Sequence, residues 1–135
     1  MNTVQPIRNR EKLEELKEEL KKNGTRDYML FYTGINSGMR VSDIVKLTRD
    51  EVRNNDSSMK QHITVIEKKT GKQKRFPLCN GLLVEMEKYT KNMKTGEYLF
   101  KSRKGENRPI TTVQAYRIIS EAAKRFYQLT GRKYV

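Results

Sequence analysis

The chain has 135 residues, with 29 Lys and Arg against 16 Asp and Glu, giving a formal net charge of +13 at pH 7. Its only cysteine, Cys79, rules out an intrachain disulfide, and its only histidine, His62, leaves too few ligands for a four-coordinate zinc site and a single ring for any histidine-based triad. No apolar run is long enough to span a membrane and the N-terminus lacks an apolar signal core, so the expectation is one soluble, cytoplasmic domain over residues 1–135 that binds no membrane and needs no metal or cofactor.

Leu13, Leu16 and Leu20 recur at helical spacing among Glu and Lys, which predicts an amphipathic helix over about 10–22 with a stop at Asn23-Gly24. Thr25 is placed to cap a second helix. Its Tyr28, Met29, Leu30, Phe31, Tyr32 and Ile35 are apolar on more than one face, so this helix should be buried and end near Ser37-Gly38. A short helix is expected from about Val41 to Leu47. Thr48-Arg49-Asp50-Glu51 then has the form of a capping box that opens another turn.

The β-prone runs Ile63-Thr64-Val65-Ile66 and Arg75-Phe76-Pro77-Leu78 flank Lys69-Thr70-Gly71-Lys72, which predicts an antiparallel hairpin over about 62–78 with a cationic tip. Asn80 is placed to cap the next helix, with Leu82, Leu83, Met86 and Tyr89 on one face. A loop through Gly96 to Pro109 follows. Thr111-Thr112-Val113-Gln114 reads as a second capping box, opening a helix with Val113, Tyr116, Ile119, Ala122, Ala123 and Phe126 on one side and Gly131 beyond its end. The expected fold class is α+β, mainly α, with a small antiparallel sheet formed by the hairpin and room for one more short strand.

The positive charge is unevenly spread. Residues 60–135 hold 18 basic and 6 acidic side chains, while residues 1–59 are close to balance. The densest run, Lys68-Lys69-Thr70-Gly71-Lys72-Gln73-Lys74-Arg75, has five cations in eight residues, and Lys101, Arg103, Lys104 and Arg108 form a second cluster. Such clustering points to a polyanion partner, although a single basic cluster is also what a solvated surface looks like.

The most informative segment runs Thr33-Gly34-Ile35-Asn36-Ser37-Gly38-Met39-Arg40-Val41-Ser42-Asp43-Ile44-Val45-Lys46-Leu47. A buried helix breaks at a glycine, an arginine follows, and a new helix begins with a carboxylate three residues on. Arg40 at such a break can offer its two-pronged guanidinium to a phosphate, and Asp43 is spaced to hold that fork; an ordinary i,i+3 surface pair is the plainer alternative. This segment resembles the first box of the tyrosine recombinases, the phage integrase family, in which a helix ends in Gly-x-Arg. The hairpin with its Lys69-Thr70-Gly71 turn and Phe76-Pro77-Leu78 strand is similar to that family's β-hairpin. Tyr98-Leu99-Phe100, the basic loop and the helix opening at Thr111 also follow the family's layout, and the resemblance covers about residues 7–135.

The resemblance implies the helical fold of a DNA breaking-rejoining catalytic domain, with double-stranded DNA as partner and self-association on DNA in the full-length protein. It also implies metal-free site-specific recombination or integration, in which a tyrosine hydroxyl attacks a backbone phosphate, forms a 3′-phosphotyrosyl link and releases a 5′-hydroxyl. In that scheme Arg40 stabilises the non-bridging oxygens, Asp43 supports it, and Lys69 protonates the leaving oxygen. Lys68 and Lys72 are the substitutes. Alternation on a regular strand would let only one of Lys68 and Lys69 reach the phosphate. Lys74, Arg75, Lys101, Arg103, Lys104 and Arg108 are expected to contact DNA, and the basic loop at 101–108 to gather on the same side as Arg40 and Lys69.

The family's His-x-x-Arg box and tyrosine nucleophile have no counterpart in the sequence: His62 precedes Ile63-Thr64-Val65 within a strand, and Tyr134 has no such box before it. The expectation is therefore a partial catalytic domain, inactive alone but binding DNA weakly and with salt sensitivity, with apolar surface left uncovered on its helices. The competing readings are a non-catalytic nucleic-acid-binding module, an RNA-binding protein and a topoisomerase of the same chemistry. No aromatic platform for base stacking favours RNA, and the Gly-Met-Arg-Val-Ser-Asp box is closer to the integrase form.

Overall fold

Six helices and one strand pair account for the regular structure of residues 10–22 and 24–130, which the computed structural model describes. In chain order these are α1 (Arg10–Lys21), α2 (Thr25–Ser37), α3 (Val41–Ile44), α4 (Arg49–Val52), β1 (His62–Ile66), β2 (Gln73–Pro77), α5 (Asn80–Thr90) and α6 (Thr112–Thr130). The mainly helical α+β class is as expected. The side chain of Leu13, together with Asn23, Gly131 and Tyr134, lies outside the described residues.

The all-round apolar character of α2 has the consequence its sequence implied: it packs against α1, α5 and α6, with Tyr28, Met29, Leu30 and Phe31 buried. One core cluster gathers α2 side chains with Ile44, Leu47, Val52, Ile63, Leu82, Met86 and Phe100. A second, smaller cluster joins Leu16, Phe31, Ala122 and Phe126, so α1 and α6 close over one side of α2. Among the described residues no helix is long and apolar enough to cross a membrane.

Several local expectations shift by a residue or a face. Gly24, not Thr25, occupies the N-cap of α2, and Cys79, not Asn80, that of α5; Thr25 and Asn80 are the first helical residues and neither helix has a side-chain cap hydrogen bond. The third helix is a single turn ending at Ile44 rather than Leu47. Glu51 accepts hydrogen bonds from the Thr48 backbone N–H (2.7 Å) and hydroxyl (2.9 Å), so the first capping box forms. At the second, the Thr111 hydroxyl accepts the Gln114 N–H at 3.1 Å.

The face of α6 holding Ile119, Ala122, Ala123 and Phe126 packs inward as predicted, and only its first turn departs from the expectation. Val113 and Tyr116 are 68% and 64% exposed, while Ala115, Ala122 and Phe126 are buried. The neighbour that selects the face is α2: Ile119 closes to 3.3 Å of where a Cβ on Gly34 would stand, so the helices meet where α2 has no side chain. The sheet is the β1–β2 ladder alone, in the register Ile63↔Phe76 and Thr64↔Arg75; the remaining strand-like pairings are isolated bridges such as Thr48↔Tyr98.

Candidate functional site

The break between α2 and α3 fixes the backbone of Arg40 from both sides. Gly38 ends α2 in the left-handed conformation at φ 74°, which a residue with a Cβ adopts only at a cost, and the next N–H, of buried Met39, donates to Ser37 Oγ at 3.1 Å. Arg40 then takes the extended N-cap conformation, and its carbonyl accepts the N–H groups of Asp43 and Ile44, each at 3.0 Å. Its side chain is exposed. The expected support by Asp43 does not take the form of an ion pair: none joins the two side chains, although both line the same groove.

The hairpin brings its cations to that groove by a turn rather than a strand. Glu67 N–H donates to the Lys72 carbonyl at 2.9 Å and Gly71 N–H to the Glu67 carbonyl at 2.8 Å, closing a loop in which Gly71 sits at φ 69°. Lys68, Lys69 and Thr70 lie in this turn, beyond the last ladder pair Ile66↔Gln73. The strand alternation that would have sent Lys68 and Lys69 to opposite faces therefore does not apply, and both line the groove. Lys72 and Arg75 do not. They are exposed, with Arg75 opposite Thr64 on the ladder.

The groove, of about 640 Å³, lies between the Arg40–Glu51 segment and the hairpin. Arg40, Lys46, Lys68, Lys69 and Lys74 contribute positive charge, and Asp43, Glu51 and Glu67 negative charge. Two of the three carboxylates are engaged, Glu51 by the capping box and Glu67 with Lys74 at 3.8 Å. Among the described residues Arg40, Lys46, Lys68 and Lys69 have no carboxylate partner within 4.0 Å, the ion-pair limit. The floor includes Leu47, Val65 and the exposed Ile66, so the arrangement is a cationic slot with a partly apolar wall. It can take a phosphate between a guanidinium and ammonium groups.

The basic loop does not join it. Lys101 pairs with Glu97 at 2.6 Å, and this hydrogen bond, with one from the Lys94 N–H, holds the Glu97 carboxyl below the usual glutamate range. Arg103 and Lys104 are exposed, and the Arg108 chain folds against Gly105. None of Lys101, Arg103, Lys104 and Arg108 lines the groove. Lys46 was missed as a site residue; its place three residues after Asp43 on the same short segment was the available signal. Among the described residues no tyrosine lines the groove, and no three His, Cys, Asp or Glu side chains converge on a metal position.

Residues 9–132 match the model of the phage integrase family. Over 123 residues the chain is 46% identical to the probable integrase/recombinase YoeC of Bacillus subtilis (strain 168), an alignment that covers 91% of this chain and 65% of that protein. The chain thus spans a little under two thirds of the length of this curated relative. No solved structure matches it.

Proposed function

Because the chain belongs to the phage integrase family, we propose that it takes part in site-specific DNA recombination or integration, and that the groove between Arg40 and the hairpin turn holds the DNA phosphate at which strands break and rejoin. The observation that carries this reading is the convergence of Arg40 and Lys69, 29 residues apart in sequence, on one groove. Arg40 supplies a planar fork for the non-bridging oxygens. Lys69 supplies a proton.

In this scheme a tyrosine hydroxyl gives its proton to solvent as its oxygen attacks phosphorus and the bond from phosphorus to the 5′-oxygen breaks, while the Lys69 ammonium protonates that leaving oxygen and regains a proton from solvent. Asp43 acts as a supporting acid on the groove wall, and Lys68, Lys46 and Lys74 add attraction for the flanking backbone. Lys72, Arg75, Lys101, Arg103, Lys104 and Arg108 serve as peripheral DNA contacts outside the groove. On this reading the nucleophile comes from outside the groove's described residues, and the chain alone binds and polarises the phosphate without cleaving it. The same reading puts it in the cytoplasm with its DNA, where the full-length protein self-associates.

Two measurements test the proposal, one on the chain itself and one with Arg40→Ala and Lys69→Ala. On a nicked suicide duplex the chain should form no covalent adduct; a covalent band on a denaturing gel would overturn the division of labour. In a recombination-competent protein carrying the same groove, each substitution should lower the cleavage rate by about 10²–10³-fold with duplex affinity largely kept. A loss confined to affinity would favour the second reading, a non-catalytic DNA-binding module, which the absence of a lining tyrosine also fits.

A further inference from the structure

A second cavity, of about 380 Å³, lies between α1, α2 and α5 and shares no residue with the groove. Its lining contains three lysines, Lys17 and Lys21 from α1 and Lys88 from α5, against one carboxylate, Glu85. Glu85 is taken by Lys17 at 3.3 Å. Among the described residues Lys21 and Lys88 have no carboxylate partner within 4.0 Å, the ion-pair limit.

The floor is Tyr28, only 2% exposed. The ammonium groups of Lys17 and Lys21 stand 5.3 and 5.8 Å from the centre of its ring, two like charges over one aromatic face. Burial, and then the nearby Glu85, push the Tyr28 phenol far above its usual range, so the hydroxyl keeps its proton and can only be a donor or a neutral acceptor. Among the described residues no hydrogen bond joins that hydroxyl to the protein, and its oxygen is not one of the fully desolvated unpaired atoms, so it is open to the cavity. The start of α2 borders the same cavity at Thr25, and Gly24 in the N-cap offers no side chain to satisfy the first-turn N–H groups.

Ammonium groups without carboxylates, a hydroxyl that meets solvent rather than a protein acceptor and a 13-residue helix N-terminus without a side-chain cap all suit the same ligand, a compact oxygen-rich anion. We propose that this cavity is a phosphate-binding site, held by Lys21, Lys88, the Tyr28 hydroxyl and the first turn of α2, and separate from the groove at Arg40. Its volume falls within the roughly 300–1,000 Å³ of ordinary small-ligand sites, so the phosphate can be free or part of a larger molecule.

Amide NMR of the chain tests this with inorganic phosphate as probe, against sodium chloride at matched ionic strength. Phosphate should shift the amides of Thr25 to Tyr28 and of Lys88 saturably. Lys21→Ala with Lys88→Ala should weaken that binding about tenfold or more, Tyr28→Phe should weaken it while keeping the packing, and Arg40→Ala should leave it unchanged. Given saturable phosphate binding, shifts of the same amides by a short DNA duplex would assign the bound phosphate to a nucleic-acid backbone. Duplex shifts confined to the groove would assign it to a free ligand. Shifts that follow ionic strength alone, or that persist in the double-lysine variant, would overturn the proposal.

Discussion

The backbone of Gly81 in the first turn of α5 lies directly against the hydroxyl of Tyr32 in α2: a methyl group added at position 81 would stand 2.7 Å from Tyr32 Oη, and 3.9 Å from the ring carbon that carries it. A Gly→Ala change inside a helix normally gains about 0.5–1 kcal/mol. Here the overlap works against that gain, and Gly81→Ala should instead destabilise by about 1–2 kcal/mol. In a Tyr32→Phe background the obstructing oxygen is gone and the same change should become neutral or favourable. Urea denaturation of the four proteins in this cycle decides it, and a stabilising Gly81→Ala in the wild-type background would show that the two helices have slack there.

Thr33 is fully buried in α2 and its Oγ1 has no hydrogen-bond partner. A desolvated hydroxyl of this kind costs about 1–3 kcal/mol relative to an apolar group of the same shape. Thr33→Val should therefore raise stability by about 1 kcal/mol, seen as a higher denaturation midpoint at unchanged slope. A lower midpoint would mean that an internal water serves the hydroxyl.

Gly38 has open space around it, so only its conformation, at φ 74°, opposes a side chain. Gly38→Ala should cost about 1–2 kcal/mol through backbone strain alone. If the strain is relieved by turning the segment, Arg40 moves with it. A loss of duplex affinity larger than that of Arg40→Lys would reveal this, whereas unchanged binding at reduced stability would show that the strain is absorbed in place.

Glu97 carries the pH prediction. Its folded carboxyl sits below the ordinary value of 4.5, because Lys101 and then the Lys94 N–H bind the charged form. The charged form thus favours the folded state: the contribution is complete above about 4.5 and disappears as pH falls through the lowered value. Glu97→Gln should flatten the acid limb of the stability profile below about pH 4.5 and leave it unchanged between there and neutral pH. Parallel limbs for the two proteins would exclude Glu97 as a contributor.

Much of the architecture was legible because it rests on local rules. Helical spacing of leucines, a capping box at Thr48 and Glu51 and a glycine after Ser37 each act within a turn or two, so the local order of residues places them. Along α6 the spacing placed Ile119, Ala122, Ala123 and Phe126 inward, but the exposure of Val113 and Tyr116 depends on where α2 lies, with Gly34 admitting Ile119. The groove was half legible. Arg40 and Lys69 carry motif signals, but Lys46 faces the groove only because the one-turn α3 ends at Ile44 and redirects the chain. The 101–108 cations stay outside the groove for a different reason, with Lys101 held by Glu97 on another edge.

The two-stranded ladder also acts as a ruler. Its inner end is anchored by Ile63, fully buried, and its outer end delivers Lys68 and Lys69 to the groove. Each residue of strand advances about 3.3 Å, while a proton transfer tolerates only a few tenths of an ångström. If Lys69 is the proton donor proposed above, one residue inserted between Ile66 and Lys68 would shift its ammonium away from the groove with the Ile63 anchor untouched, so the length of the arm would be as much a chemical specification as the lysine at its tip.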